Sequence, residues 1–224
     1  MSRHLAIGDI HGCITALRTL VEFVGLRPDD TIVFLGDYVD RGPDSASVID
    51  FVIELGKKHH VKPLRGNHEI MMLDAREQKS WLGPWLSYGG DATLQSYAAS
   101  VDESGSFADI PDAHYDFLEN QLLDYYECDT HFFVHANADP KVALQMQKEP
   151  ALFWQKYNNP GPHCSNKIMV CGHTAQFSGE PVSNASSICI DTWVYGEGWL
   201  TCLDVASGTI WQANEAGETR NLGS

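Results

Sequence analysis

The stretch Gly36-Asp37-Tyr38-Val39-Asp40-Arg41-Gly42 directly follows the apolar run Thr31–Leu35, and the same arrangement recurs on either side of it. Gly8-Asp9-Ile10-His11-Gly12 follows Leu5–Ile7, and Gly66-Asn67-His68-Glu69 follows Val61–Leu64. Each apolar run has the length and composition of a buried strand. Each string that follows joins glycine to side chains able to ligate a metal. The ligands are therefore expected at strand ends, where open sheets bind their partners. Two later histidines obey the same rule: His135 follows Phe132–Val134, and His173 follows Ile168–Cys171.

Asp9 and His11 are two residues apart, so on an extended segment both side chains point the same way and can grip one ion. Asp37 is the natural bridge, since an ionised carboxylate has two oxygens and can hold an ion on each. Asn67, His135 and His173 then complete a second site. Imidazole and oxygen ligands without thiolate favour manganese, iron or zinc over a soft metal, and manganese is taken as the first expectation. Two ions roughly 3.5 to 4 Å apart lower the pKa of a bridging water and stabilise the attacking and leaving oxygens of an in-line displacement. His68, next to Asn67, projects elsewhere and can carry a proton to a departing alkoxide near neutral pH. Asp40 is the carboxylate expected behind it, and Arg41 supplies a planar fork for phosphate oxygens.

The strings GDIHG, GDYVDRG and GNHE, followed by His135 in FVHA and His173 in CGHT, resemble the phosphoprotein phosphatase family of calcineurin-like metallophosphoesterases. The likeness runs from Ile7 to about Leu203. It implies that Asp9, His11 and Asp37 hold one ion, and Asp37, Asn67, His135 and His173 the other. It further implies that His68 with Asp40 forms the acid pair and that Arg41 binds phosphate. Two departures stand out. The family's second phosphate-binding arginine has no counterpart; Phe153-Trp154-Gln155-Lys156 puts Lys156 there, a point charge in place of a fork. His135-Ala136-Asn137 also lacks the family's glycine, and Asn137 is expected to take over its left-handed backbone.

The neighbouring structural readings are ordinary ones. Gly-Asp after a strand is a common turn, and GNHE can open a helix with Asn67 as its cap. Five such strings in order are not explained that way. The other histidines (His4, His59, His60, His114, His131 and His163) lack partner motifs and read as surface or packing residues. Cys13 and Cys171 read as packing.

With 224 residues, 43% of them hydrophobic, the chain can bury a full core. It is expected to form a single domain over residues 1–224, with no signal peptide and no membrane span. Six cysteines without CxxC spacing read as reduced thiols in a cytoplasmic protein. A formal charge of −15 argues against a nucleic-acid surface.

Apolar residues Leu17, Leu20, Val21 and Val24 predict a helix over 14–24, and Val48, Phe51, Val52 and Leu55 another over 43–55, with Pro43 in its first turn. This βαβα start, with later strands, predicts an αβ-sandwich: two mixed sheets flanked by helices. Residues of about 74–127 break the rhythm and are expected to form a small helical cap beside the metal site. Within it, Asp112 is read as a cap for a helix carrying Tyr115, Leu118, Leu122 and Tyr126. Trp81, Trp85 and Tyr88 form an aromatic stripe, read first as packing on the body and second as a substrate-stacking surface. Strands are expected at Ser187–Ile190, Trp199–Asp204 and Thr209–Ala213, all in the second sheet, followed by a poorly ordered tail beyond Asn214.

The leading expectation is a dinuclear metal-dependent phosphomonoesterase acting on phosphoserine or phosphothreonine in proteins. A second is symmetric cleavage of dinucleoside tetraphosphates to two nucleoside diphosphates. His11 counts against the second, because that branch often has glutamine there; the aromatic stripe counts for it. A third is a non-catalytic phosphate-binding protein. The sequence leaves the oligomeric state open.

Overall fold

A computed structural model describes residues 2–100 and 102–223. In chain order the elements are β1 (His4–Ile7), α1 (Ile14–Val24), β2 (Thr31–Phe34), α2 (Ser45–Gly56) and β3 (His60–Pro63). Helices follow: α3 (Asn67–Glu77), α4 (Lys79–Trp85), α5 (Asp91–Ser96) and α6 (Asp112–Asp116). The remaining strands are β4 (Tyr125–Glu127), β5 (His131–Val134), β6 (Ile168–Cys171), β7 (Val182–Ser183), β8 (Ser187–Cys189), β9 (Leu200–Asp204), β10 (Ile210–Ala213) and β11 (Thr219–Gly223).

Two mixed sheets result, one in the order β11-β10-β9-β1-β2-β3 and the other β4-β5-β6-β8-β7. The strand alternation explains how they stack. Leu5, Ile7, Ile32 and Phe34 pack with Leu17, Leu20, Val48 and Val52 of the helices. Their neighbours Ala6 and Val33 point the other way and meet Phe133, Val170 and Ile190 of the second sheet. Successive side chains on a strand face opposite sides, so every one of these short strands is buried on both faces. That is why they read as unbroken apolar runs.

The helices begin and end where local chemistry permits. Gly25, at φ +61°, closes α1 in the left-handed conformation that glycine adopts freely. The Asp44 side chain caps α2 by accepting from the Ser47 N–H, so Pro43 lies ahead of the cap and not in the first turn. Asp112 is likewise the first residue of α6 and not its cap. The helical path beyond α6 ends at Gln121, and Tyr126 lies in β4, so its helical spacing from Leu122 is coincidental.

The C-terminal strands depart most from expectation. β9 and β10 join the first sheet, with Leu5 opposite Asp204 and Ile7 opposite Cys202; of the three expected strands only β8 enters the second sheet. Beyond Asn214 the chain forms β11, antiparallel to β10, where a disordered tail was expected. Hydrophobic pattern identifies a strand but not its neighbour, because pairing partners are chosen by tertiary contacts.

One cap comes from far along the chain. Cys13 precedes α1 and offers no oxygen to its free N–H groups. The Glu215 carboxylate does so instead, accepting from Thr15 N at 3.3 Å and Ala16 N at 3.0 Å. A carboxylate at a helix N-terminus satisfies orphan donors and opposes the macrodipole. Glu215→Ala is therefore expected to lower unfolding free energy by about 1 kcal/mol. Urea denaturation would measure this, with Glu215→Gln losing less.

Candidate active site

Three parallel strands from each sheet deliver their carboxyl ends to one place: β1, β2 and β3 from the first, and β5, β6 and β8 from the second. Asp9 and His11 follow β1; Asp37, Asp40 and Arg41 follow β2; Asn67 and His68 open α3 immediately after β3. His135, His173 and Asp191 follow β5, β6 and β8. Gly66 is the residue before α3, so Asn67 and His68 lie in its first helical turn. Consecutive helical residues diverge by about 100°, which still sends the two side chains to different neighbours.

The backbone at these turns is strained in a shared way. Among the described residues eight non-glycine positions have positive φ, and His11, Asp37, Asp40, Arg41 and His173 are five of them. Such conformations cost about 1–3 kcal/mol each and persist where the surroundings over-determine them. Glu69 supplies much of that determination. Buried completely, its carboxylate accepts from the backbone N–H groups of Asp37 (2.9 Å), Tyr38 (2.8 Å) and Gly66 (2.8 Å). Glu69 closes the GNHE string, in which no role was expected of it. Its position, third in a helix after a glycine, is the signal for such a back-reaching carboxylate.

Asp37 stands between two imidazole groups. Its Oδ2 is 3.5 Å from His11 Nε2, and its Oδ1 is 3.5 Å from His135 Nε2. Asn67 Oδ1 lies 2.9 Å from His135 Nε2 and 2.8 Å from His173 Nδ1. Each ring's other nitrogen is committed to a backbone carbonyl. His11 Nδ1–H donates to Val39 O (2.9 Å), His135 Nδ1–H to Leu35 O (2.8 Å) and His173 Nε2–H to Trp154 O (3.2 Å). The nitrogens facing the carboxylate and amide oxygens therefore carry lone pairs. Fixing a ligand's tautomer through its second nitrogen is a recurring feature of metal sites.

Charge leads to the same conclusion. Burial pushes His11, His135 and His173 down, His173 to about 4, so all three are neutral donors at neutral pH. Burial would raise Asp37, but the surrounding imidazoles outweigh it and hold it below the usual carboxylate range. Asp9 is raised by burial and by the nearby Asp191 and Asp37; Asp191 is raised to about 7, chiefly by burial. Asp9 Oδ2 accepts from His173 N at 2.9 Å, whereas its buried Oδ1 meets no hydrogen-bond donor among the described residues. Lone pairs turned inward, an orphaned carboxylate oxygen and crowded acidic groups fit a pair of divalent cations. The close groupings are His11, Asp37 and His68 on one side and Asp37, His135 and His173 on the other. Asp9 lies beside them, outside either close grouping.

His68 Nδ1 is 2.6 Å from Asp40 Oδ2. Asp40 is fully buried and also accepts from Thr93 Oγ1 (2.7 Å) and Trp85 Nε1 (3.0 Å). Burial opposes charge on His68, but Asp37 and the Asp40 hydrogen bond outweigh it and raise its pKa. Thr93 and Trp85 were not anticipated as partners of Asp40; they come from α5 and α4, far along the chain. Of the aromatic stripe, Trp85 is the packed member, while Trp81 and Tyr88 are exposed.

Arg41 N donates to Gly89 O, and a Cβ at Gly89 would lie 2.7 Å from that nitrogen, so only glycine permits the approach. The guanidinium Nη1 is 2.9 Å from His11 Nε2. A cleft of about 780 Å³ opens in front, lined by Asp37, Arg41, Asn67, His68, Lys156 and His173, with Trp81, Tyr88, Trp154 and Phe177 around it. Asn137 does not take the left-handed backbone expected of it. Its buried side chain instead accepts from Ala138 N and donates to Lys156 O, tying that loop to the site.

Residues 2–196 match the family described as Calcineurin-like phosphoesterase. The chain belongs to that metallophosphoesterase family. Its relatives include a symmetrical bis(5'-nucleosyl)-tetraphosphatase of Acidovorax sp. (strain JS42), 46% identical over 70 residues, which is 31% of this chain and 24% of that protein. Serine/threonine-protein phosphatase 1 of Salmonella typhimurium is 40% identical over 92 residues, 40% of each chain. The matched segments thus span well under half of these relatives' length. A crystal structure of a protein provisionally described as a diadenosine tetraphosphatase superposes with a TM-score of 0.70 at 21% identity. It covers 98% of this chain and 93% of that one, which establishes the two-sheet fold. No helix among the described residues is long and apolar enough to cross a membrane.

Divalent metal binding should stabilise this metallophosphoesterase by mass action, about 2.7 kcal/mol when free metal is a hundredfold above Kd. Manganese added to chelator-treated protein is expected to raise Tm, and Asp37→Asn should abolish most of the rise. Calorimetric melts with metal analysis would check both.

Proposed function

We propose that this metallophosphoesterase is a phosphomonoesterase acting on phosphoserine or phosphothreonine in proteins. The observation that carries the reading is the charge lining the cleft. Apart from the histidines, its cationic side chains are Arg41 and Lys156, set against Asp37 and Asp74. Two cationic side chains beside a metal pair suffice to hold the oxygens of a single phosphoryl group. A tetraphosphate spreads at least four negative charges along its length and calls for a longer basic track.

In this reading Asp9, His11 and Asp37 hold one ion, and Asp37, Asn67, His135 and His173 the other, with manganese the first choice. Bound there, the ions supply an activated water and neutralise charge on the phosphoryl group. The chain's own groups do the rest. Arg41 grips phosphate oxygens with its planar fork, and Lys156 adds a movable point charge from the exposed wall. His68 delivers a proton to the departing serine or threonine oxygen, its Nδ1 held by Asp40 so that Nε2 faces the substrate. Thr93 and Trp85 hold Asp40 in turn, so the acid pair does not depend on loop mobility.

A second reading, symmetric cleavage of dinucleoside tetraphosphates, draws support from the exposed aromatics. Trp81, Tyr88, Trp154 and Phe177 are 49%, 55%, 41% and 71% exposed and all border the cleft, where they could stack on nucleobases. Manganese-loaded protein assayed in parallel on a phosphoserine peptide and on diadenosine tetraphosphate would separate the two. Preferential release of inorganic phosphate from the peptide is the expected outcome; preferential formation of two ADP would replace the first reading with the second.

The role given to His68 has its own test. His68→Asn should depress turnover about 100-fold or more on alkyl phosphates, whose leaving groups need a proton, and much less on nitrophenyl phosphate. An equal loss on both would remove His68 as the proton donor.

A further inference from the structure

With only one arginine in the cleft, what holds its guanidinium in place becomes important, and the structure offers a specific support. Arg41 Cζ lies 4.5 Å from the centroid of the Tyr195 ring, the geometry of a cation–π contact. The same ring meets His11 edge to face at 4.9 Å, so it touches both partners of the 2.9 Å Arg41–His11 contact. Tyr195 lines the main cleft and also a smaller cavity bordered by Cys13, Gly42, Gln95 and Glu215. Arg41 and Tyr195 line both spaces.

The turn that carries Tyr195 is built to stay where it is. Trp193 has φ +64°, an outlier for a bulky side chain. Its N–H donates to Asp191 Oδ1 at 3.1 Å, and its carbonyl accepts from both Gly196 N (3.1 Å) and Gly198 N (3.2 Å). A Cβ on Gly196 would lie 2.3 Å from the Trp193 indole, so the ring is folded tightly against its own turn. Phe177 stands edge to face on the other side of the indole at 4.9 Å, and Trp193 meets Tyr195 at 6.4 Å and 89°. Strain in the backbone, three anchoring hydrogen bonds and edge-to-face packing all serve to fix one phenol ring.

We propose that Tyr195 is a positioning residue that holds the Arg41 guanidinium at the phosphate site through its ring face, with Trp193 as the buttress of its turn. The inference rests on the reading of Arg41 as a phosphate ligand. Tyr195 acts through Arg41 and makes no contribution of its own to proton transfer. A planar cation lying on an aromatic face keeps its N–H edges free, so the fork remains available to an oxyanion while its swing is limited.

The test uses manganese-loaded full chain and inorganic phosphate as the probe, with affinity measured by calorimetry and KM and kcat measured on nitrophenyl phosphate. Tyr195→Leu should weaken phosphate binding and raise KM by roughly threefold to thirtyfold, the range of a cation–π contact, with kcat changed less. Tyr195→Phe keeps the ring and should restore both, which also separates loss of the stack from loss of folding. In an Arg41→Ala background Tyr195→Leu should add less than about twofold, because the group it positions is gone. An undiminished effect of Tyr195→Leu in that background, or a Tyr195→Phe variant as impaired as the leucine, would overturn the proposal. Arg41→Ala binding phosphate as tightly as the unaltered protein would overturn the reading of Arg41 first, and the role of Tyr195 with it.

Discussion

Five carboxyl groups, Asp9, Asp37, Asp40, Glu69 and Asp191, are buried around the site, and most of the architecture near them can be understood as an answer to that fact. An isolated buried carboxylate is too costly to persist unpaired. Glu69 is answered by backbone N–H groups, Asp37 by imidazoles and Asp191 by its own turn, while one oxygen of Asp9 is left facing inward. The remaining negative charge is what a divalent cation requires. Stability and chemistry are therefore linked at this place: groups that are costly to bury are also groups able to hold a metal.

The two sheets provide what such a cluster needs, a rigid frame with chain turns converging on one edge. Asp9, Asp37 and His135 follow strands whose side chains are almost all buried, so the backbone has little freedom at the point where each turn begins. The turns can then hold left-handed conformations at His11, Asp37, Asp40, Arg41 and His173, which loops on a softer base would relax. Glu69 ties the β2 turn to the start of α3, joining the segments that carry Asp37 and Asn67 into one unit.

Much of this was readable because the ligand strings are local. GDIHG, GDYVDRG and GNHE each place strand end, glycine and donor within a few residues, so a strand and its donors could be recognised together. Partners that act across the chain could not be read that way. Trp85 and Thr93 reach Asp40 from helices over forty residues away. Tyr195 reaches Arg41 from beyond β8, and Glu215 caps a helix two hundred residues earlier. The allotment of β9 and β10 to the wrong sheet has the same origin: alternation marks a strand's two faces, whereas its neighbour is selected by the packed whole. Asn137 illustrates a subtler limit, since its side chain, and not an unusual backbone, meets the requirement of that loop.

The placement of β9 beside β1 also has a kinetic meaning. Asp9 and His11 follow β1, yet its second neighbour in the sheet is not made until residues 200–204. Contacts so distant in sequence close large loops and slow the approach to the native state. During synthesis the nascent β1 has β2 on one side and an open edge on the other until nearly the whole domain has emerged. A chain interrupted before β9 keeps these motifs while leaving the sheet that aligns them unfinished.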